Sequence, residues 1–170
     1  LFAGPVPPKL SRLVTDAGAM TSKPIVTVNL WYDRRVMDEP FVGLPGRSMQ
    51  WVFDKRLAFG RETSHLSLVA SGADALTSVR TDDLISRAAG EVAEAIPGAR
   101  GATLVRGTVI RERHATFSLA AGQPARPQPA TGIAGLWLAG DWIDTGLPGT
   151  IESAVVSGHR AATAVLKAES

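Results

Sequence analysis

Hydrophobic and polar positions divide the chain into short extended segments followed by two stretches of helical period. Residues 25–33 (IVTVNLWYD) are rich in β-branched and aromatic side chains. A strand there puts Val26, Val28, Leu30 and Tyr32 on one face and Ile25, Thr27, Asn29 and Trp31 on the other. Residues 48–54 (SMQWVFD) and 65–70 (HLSLVA) predict two further strands, with loop chemistry over 38–46, a polar stretch over 55–64 and Ser71-Gly72 as a stop. Three neighbouring strands with short connections predict an antiparallel sheet.

From Thr81 the period becomes helical. Thr81 is placed to cap the helix, Asp82 and Asp83 sit at its positive end, and Pro97-Gly98 stops it after Ile96. Its inward stripe is Leu84/Ile85, Ala88/Ala89, Val92 and Ile96. Residues 102–117 predict one or two extended segments with Val105, Val109 and Phe117 in the core. The flanks are different. Residues 1–24, with Pro5, Pro7, Pro8 and Pro24, read as a connector holding a short helix over 11–19. Residues 118–135, including Gln123-Pro124-Ala125-Arg126-Pro127, read as a long surface connection.

The most informative pattern is 136–166 (LWLAGDWIDTGLPGTIESAVVSGHRAATAVL). Residues 136–139 have the length and bulk of a buried strand, Gly140 lets the backbone pass close to a neighbour, and Asp141 follows at the strand's carboxyl edge. Turn chemistry over 145–149 leads to a helix starting near Thr150, whose first backbone N–H groups lack intrahelical acceptors. Two readings stay open. The helix either packs through Ile151, Val155, Gly158, Ala162 and Val165, or offers its amino end to an electron-rich ligand atom. Glu152 in its first turn reads as a dipole partner. The order is α+β in the first part, and the last strand and helix read as the close of a layered α/β unit.

Composition narrows the chemistry. The 170 residues carry a formal charge of +2, with scattered arginines, so nucleic acid is not an expected partner. The absence of cysteine excludes disulfides, thiolate metal sites and cysteine nucleophiles. His65, His114 and His159 fall in three separate segments without metal-ligand spacing, so no metal site is expected. Neither a Gly-x-Ser-x-Gly elbow nor a Gly-x-Gly-x-x-Gly fingerprint occurs. Asp144-Thr145-Gly146 is the triplet of aspartic proteases, but it occurs once and is followed by Leu147-Pro148. The opening Leu1-Phe2-Ala3-Gly4-Pro5 has neither an initiator methionine nor the regions of a signal peptide, which predicts a sequence beginning in mid-protein.

The segment LAGDWIDTGLPGTIESAVVSG resembles the C-terminal flavin motif of FAD-dependent carotenoid and squalene-type desaturases within the amine-oxidase superfamily. PIVTVNLWYDRRVMDEPFVGLPGRSMQWVFDKR, SHLSLVASGAD and VIRERHATFSLAAGQPARPQP resemble one branch, the hydroxysqualene dehydroxylases of bacterial squalene and hopanoid biosynthesis. The similarity runs over residues 23–168. Gly149 departs from the Ala of many relatives, and Ser153 from the Gly of the wider family.

The resemblance implies an α+β fragment of an α/β FAD-dependent fold. Residues 1–24 are then connector, 25–117 a portion of a substrate domain, 118–135 a loop, and 136–170 the closing strand and helix of a Rossmann-type FAD domain. The N-terminal half that grips the ADP part of FAD is expected outside this sequence. Gly140 and Asp141 are implied to approach the ribityl-pyrophosphate region, and Gly149, Thr150 and Ile151 to bring helix N–H groups to the pyrimidine edge of the flavin. The implied reaction is reductive loss of hydroxyl from hydroxysqualene; no catalytic residue follows from the sequence. Trp31, Trp51 and Phe53 are candidates for lining a tunnel for the long apolar isoprenoid, against the alternative that each is ordinary core. The rival enzyme is a phytoene-type desaturase, and the rival of another class is a non-catalytic binding module. A cytoplasmic location is implied, with peripheral membrane contact left open because squalene-sized substrates partition into lipid.

Overall fold

The computed structural model describes residues 4–60 and 64–169, so the polar stretch expected over 55–64 lies partly outside the described residues. In chain order the main elements are α1 (Ser11–Ala19), β1 (Ser22–Tyr32), β2 (Phe41–Gly43), β3 (Trp51–Asp54), α2 (Arg56–Phe59), β4 (Ser64–Ser71), α3 (Thr81–Ala95), β5 (Leu104–Phe117) and α4 (Ile151–Glu169). They belong to two compact units, residues 23–115 and residues 1–22 with 116–170.

The first unit is a five-stranded sheet in the order β2-β3-β4-β1-β5, with β2–β3, β3–β4 and β4–β1 antiparallel. Its register assigns the faces, because residues directly opposite across an antiparallel ladder project to the same side. Val52, Leu68 and Val28 form one row, and Leu66 with Leu30 belongs to the next. All five are fully buried. They join one core with Leu84, Ala88, Val92 and Ile96 along the inward stripe of α3. Burial on this scale contributes about 1.5–3 kcal/mol for each large aliphatic side chain.

Several local expectations change. The loop expected over 38–46 contains β2, because Phe41, Val42 and Gly43 find Phe53, Val52 and Trp51 as antiparallel partners. The next strand begins at Trp51 rather than 48: the Ser48 and Met49 amides bond the Glu91 carboxylate at 2.8 and 3.0 Å instead of a neighbouring strand. Thr81 is the first helical residue and caps nothing; the cap position is Arg80, without a side-chain cap bond. The Thr81 hydroxyl instead accepts from Arg111 at 3.4 Å. Val105 is 67% exposed, whereas Val109 is half-buried against the core.

Polar groups in this unit are mostly bound locally. The buried Asp54 carboxylate accepts from the Arg56 amide at 2.9 Å and from Arg56 Nε at 2.7 Å, and the same guanidinium donates to the Met37 carbonyl. At the end of β1, Asp33 accepts from Arg34 and from the Thr103 amide, and the Arg34 guanidinium holds its carboxyl down at about 2. The Tyr32 hydroxyl faces the core without a partner among the described residues, and burial pushes it up to about 12.

The second unit has little regular structure beyond its two helices. The predicted strand over 136–139 makes a single bridge, Trp137 with Ala130, because no ladder neighbour for it exists among the described residues. The expected packing stripe of α4 is also different. Ile151 is 86% exposed and Val155 and Ala162 are exposed, whereas Ser153 and Ser157, one helical turn apart, are fully buried. Hydroxyls turn inward because the segment they meet, residues 140–145, offers backbone polar groups rather than an apolar surface.

Candidate functional site

The turn between residues 140 and 150 is built from backbone groups held by side chains. Gly140 has φ of 143°, a conformation that favours glycine, and a Cβ there would come within 2.7 Å of the Trp142 ring. Its N–H donates to Ser157 Oγ at 2.8 Å, and Ser157 donates onward to the Ala154 carbonyl. Thr145 Oγ1 and Ser153 Oγ lie 2.7 Å apart, both buried. These bonds fasten the turn to the inward edge of α4.

Thr150 caps α4. Its Oγ1 accepts from the Ser153 amide at 3.2 Å and its carbonyl from the Ala154 amide at 3.0 Å. The amides of residues 149–152 are left without acceptors among the described residues. Gly149 is required by close approach: a Cβ would meet Phe117 Cε1 at 2.6 Å and Thr116 Oγ1 at 2.7 Å. The Asp141 side chain is half-buried, and its carboxylate has no partner among the described residues. A free carboxylate and an open helix start therefore stand on one short segment, one suited to accepting hydroxyl hydrogens and the other to meeting an electron-rich atom.

Arg126, which the sequence pattern left inside a surface connection, is the centre of this turn. Its guanidinium donates to the carbonyls of Asp141 at 3.1 Å, Trp142 at 3.4 Å, Leu147 at 2.5 Å and Ile143, and to Ser153 Oγ at 3.3 Å. It also lies over the Phe117 ring, 4.8 Å from the centroid. The sequence signal was a lone arginine between prolines in a segment otherwise of small residues, with nothing of opposite charge nearby to explain it.

In the sheet unit, register puts Trp31, Trp51 and Phe53 on the face opposite the core. Trp51 stands opposite Val69, Phe53 between Phe41 and Ser67, and Trp31 opposite His65. None belongs to the buried core, so the ordinary-core reading of these three is corrected; Trp51 is 46% exposed. Phe41 lies 6.1 Å from both Trp51 and Phe53 between ring centroids. At the other end His65 stacks on Trp31 at 4.2 Å, its Nε2 is 2.9 Å from Asn29 Oδ1, and Arg106 covers Trp31 at 5.0 Å. His65 is thus a member of this face, which its alternation with Ser67 and Val69 could have indicated.

Residues 3–166 match the sequence profile of the family described as flavin containing amine oxidoreductase. The chain belongs to the flavin-containing amine oxidoreductase family. Among amine oxidoreductase relatives, the hydroxysqualene dehydroxylase of Rhodopseudomonas palustris is 42% identical over 127 residues, covering 74% of this chain and 28% of that protein. The hydroxysqualene dehydroxylase of Sinorhizobium fredii is 35% identical over 143 residues, covering 84% of this chain and 32% of that protein. A solved structure, a putative protoporphyrinogen oxidase from Exiguobacterium, shares the fold with a TM-score of 0.64 at 13% identity, over 89% of this chain and 36% of that one. The chain therefore spans about a third or less of the length of the curated relatives it matches.

Membership of this family implies a flavin cofactor. A flavin fits what the turn offers among the described residues: four amides without acceptors and a carboxylate without a partner. Among the described residues, no helix is long and apolar enough to cross a membrane.

Proposed function

We propose that the full-length protein containing this chain is an FAD-dependent hydroxysqualene dehydroxylase, converting hydroxysqualene to squalene. In this reading the Asp141 carboxylate accepts hydrogen bonds from ribityl hydroxyls, and Gly140 keeps the backbone close to the ribityl-pyrophosphate region. The amides of Gly149, Thr150 and Ile151 donate to the pyrimidine edge of the isoalloxazine, where the amino end of α4 favours negative charge. The ADP part is gripped outside this chain, since no Gly-x-Gly-x-x-Gly occurs within it. Trp31, Trp51 and Phe53, with Phe41, supply an apolar wall for the isoprenoid chain.

The reaction replaces a C–O bond by a C–H bond: hydroxyl departs with a proton as water, and the carbon receives a hydride. When bound, reduced FAD supplies that hydride. This chain's residues orient and exclude water rather than form a covalent intermediate. The observation that carries the reading is the pairing of an open α4 start with an Asp141 that has no partner among the described residues, in a chain 42% identical over 127 residues to a hydroxysqualene dehydroxylase.

The test is an anaerobic incubation of the full-length protein with hydroxysqualene, its flavin reduced, and separately with phytoene, its flavin oxidised, followed by product analysis. Squalene from hydroxysqualene is the expected result. Conversion of phytoene alone would move the enzyme to the carotenoid desaturases, and a purified protein without flavin would overturn the reading altogether.

A further inference from the structure

The Arg126 guanidinium is surrounded by acceptors without any carboxylate. It donates to the carbonyls of Asp141, Trp142, Ile143 and Leu147 and to Ser153 Oγ, all within the segment that forms the turn and the first turn of α4. The sequence separation is large, 15 to 27 residues, so the arginine ties the 118–135 connection to this turn, beside the Asp144 amide on the Pro127 carbonyl and Gln128 on the Asp144 carboxylate. The peptide units over 141–143 turn their carbonyls towards one charge. Without it those half-buried oxygens would repel one another and would face the cost of unsatisfied burial.

Two routes run from Arg126 to the amides expected to meet the flavin. One passes through Ser153 Oγ, which also bonds Thr145 Oγ1, while the Ser153 amide is the donor to the Thr150 cap. The other passes through Phe117: the guanidinium lies over the ring, and the ring edge occupies the space that a Cβ of residue 149 would take. Displacing the guanidinium therefore frees both the cap of α4 and the ring against Gly149. Lysine is a poor substitute, because one ammonium with three donors does not reproduce a planar fork reaching several acceptors at once.

We propose that Arg126 is the positioning residue of the flavin turn, setting both FAD affinity and the potential of the bound flavin without touching it. The inference rests on the flavin-binding reading above and deepens it. Affinity depends on Arg126 because a preformed turn spares the cofactor the cost of ordering it. The potential depends on it because a half-buried positive charge next to the α4 amino end adds to the field that stabilises a reduced flavin.

The experiment compares wild-type full-length protein with Arg126→Lys and Arg126→Ala, each stripped of cofactor and titrated with FAD, with melting of the apoproteins recorded in parallel. The expected result is FAD binding weaker by about tenfold or more in both variants. A lower midpoint potential is expected for Arg126→Ala at saturating FAD. Added guanidinium, but not ammonium, should restore affinity in Arg126→Ala. Unchanged affinity and potential in the variants would overturn the inference, whatever happens to the melting temperature. If Arg126→Ala does not fold, Arg126→Lys decides, and wild-type affinity in it overturns the proposal. A wild type that binds no FAD would defeat the flavin-binding reading itself, and with it this inference, which separates the two failures.

Discussion

The sheet unit and the turn unit of this chain are held together by opposite means. In residues 23–115 a two-residue alternation sends Val28, Leu30, Val52, Leu66 and Leu68 to one buried face under α3. In the unit containing residues 116–170, the fully buried positions of α4 are Ser153 and Ser157, while Ile151 and Val155 are exposed. Its fixed points are Arg126 on carbonyls, Ser157 on the Gly140 amide and Thr145 on Ser153. Apolar burial is non-directional, whereas hydrogen bonds to named carbonyls fix one backbone path. Precision is thus concentrated where a cofactor is expected and bulk stability where a scaffold is required.

That contrast can be broken by substitution, beginning in the core. Leu66→Ala should destabilise the sheet unit by about 2–5 kcal/mol in denaturant unfolding followed on β4 amides. A cost below about 1 kcal/mol would mean that the core is not where the sheet's stability resides. Ser157→Ala should cost about 1–3 kcal/mol by leaving the Gly140 N–H without its acceptor, and hydrogen exchange at Gly140 should rise while β4 stays protected.

A subtler effect belongs to Asp33. Its folded pKa is about 2, below the unperturbed 3.8, so the unfolded state takes up the proton first. Its contribution to stability is complete above pH 3.8 and is lost as pH falls towards 2. Asp33→Asn should flatten this acid limb in unfolding curves measured at several pH values, and an unaltered limb would show that the Arg34 and Thr103 bonds do not hold. Smallest of all, Ile151→Gln with Val155→Gln should change the chain's stability by no more than about 0.5 kcal/mol, since exposed side chains away from specific contacts contribute little. A loss of several kcal/mol would restore the apolar stripe as the packing face of α4.

The same contrast explains what was legible beforehand. Alternation located β1 and its two faces, residue type located β4 as a strand, and helical period located α3 with its buried Leu84, Ala88 and Val92 and Ile96 at its C-cap. Those patterns report burial against apolar neighbours, and there they succeeded. Applied to α4 the same rule chose Ile151 and Val155, because hydrophobicity cannot signal a helix that buries hydroxyls against backbone. It also assigned a strand over 136–139, where apolar content was right but ladder partners are absent among the described residues. Arg126 was invisible for a related reason: its partners are carbonyl oxygens, which every residue has and no residue type advertises. Trp31, Trp51 and Phe53 share a face that the register of three strands defines, a relation that no single segment contains.

On the proposed reading, the turn and the start of α4 are the part of this chain that meets the flavin. Hydrogen–deuterium exchange of the full-length protein with and without FAD tests it directly. Cofactor should slow exchange at the amides of residues 149–152, which have no acceptors among the described residues, and at the Asp141 and Trp142 amides. Unchanged exchange over 141–152, with protection elsewhere in the chain, would contradict it.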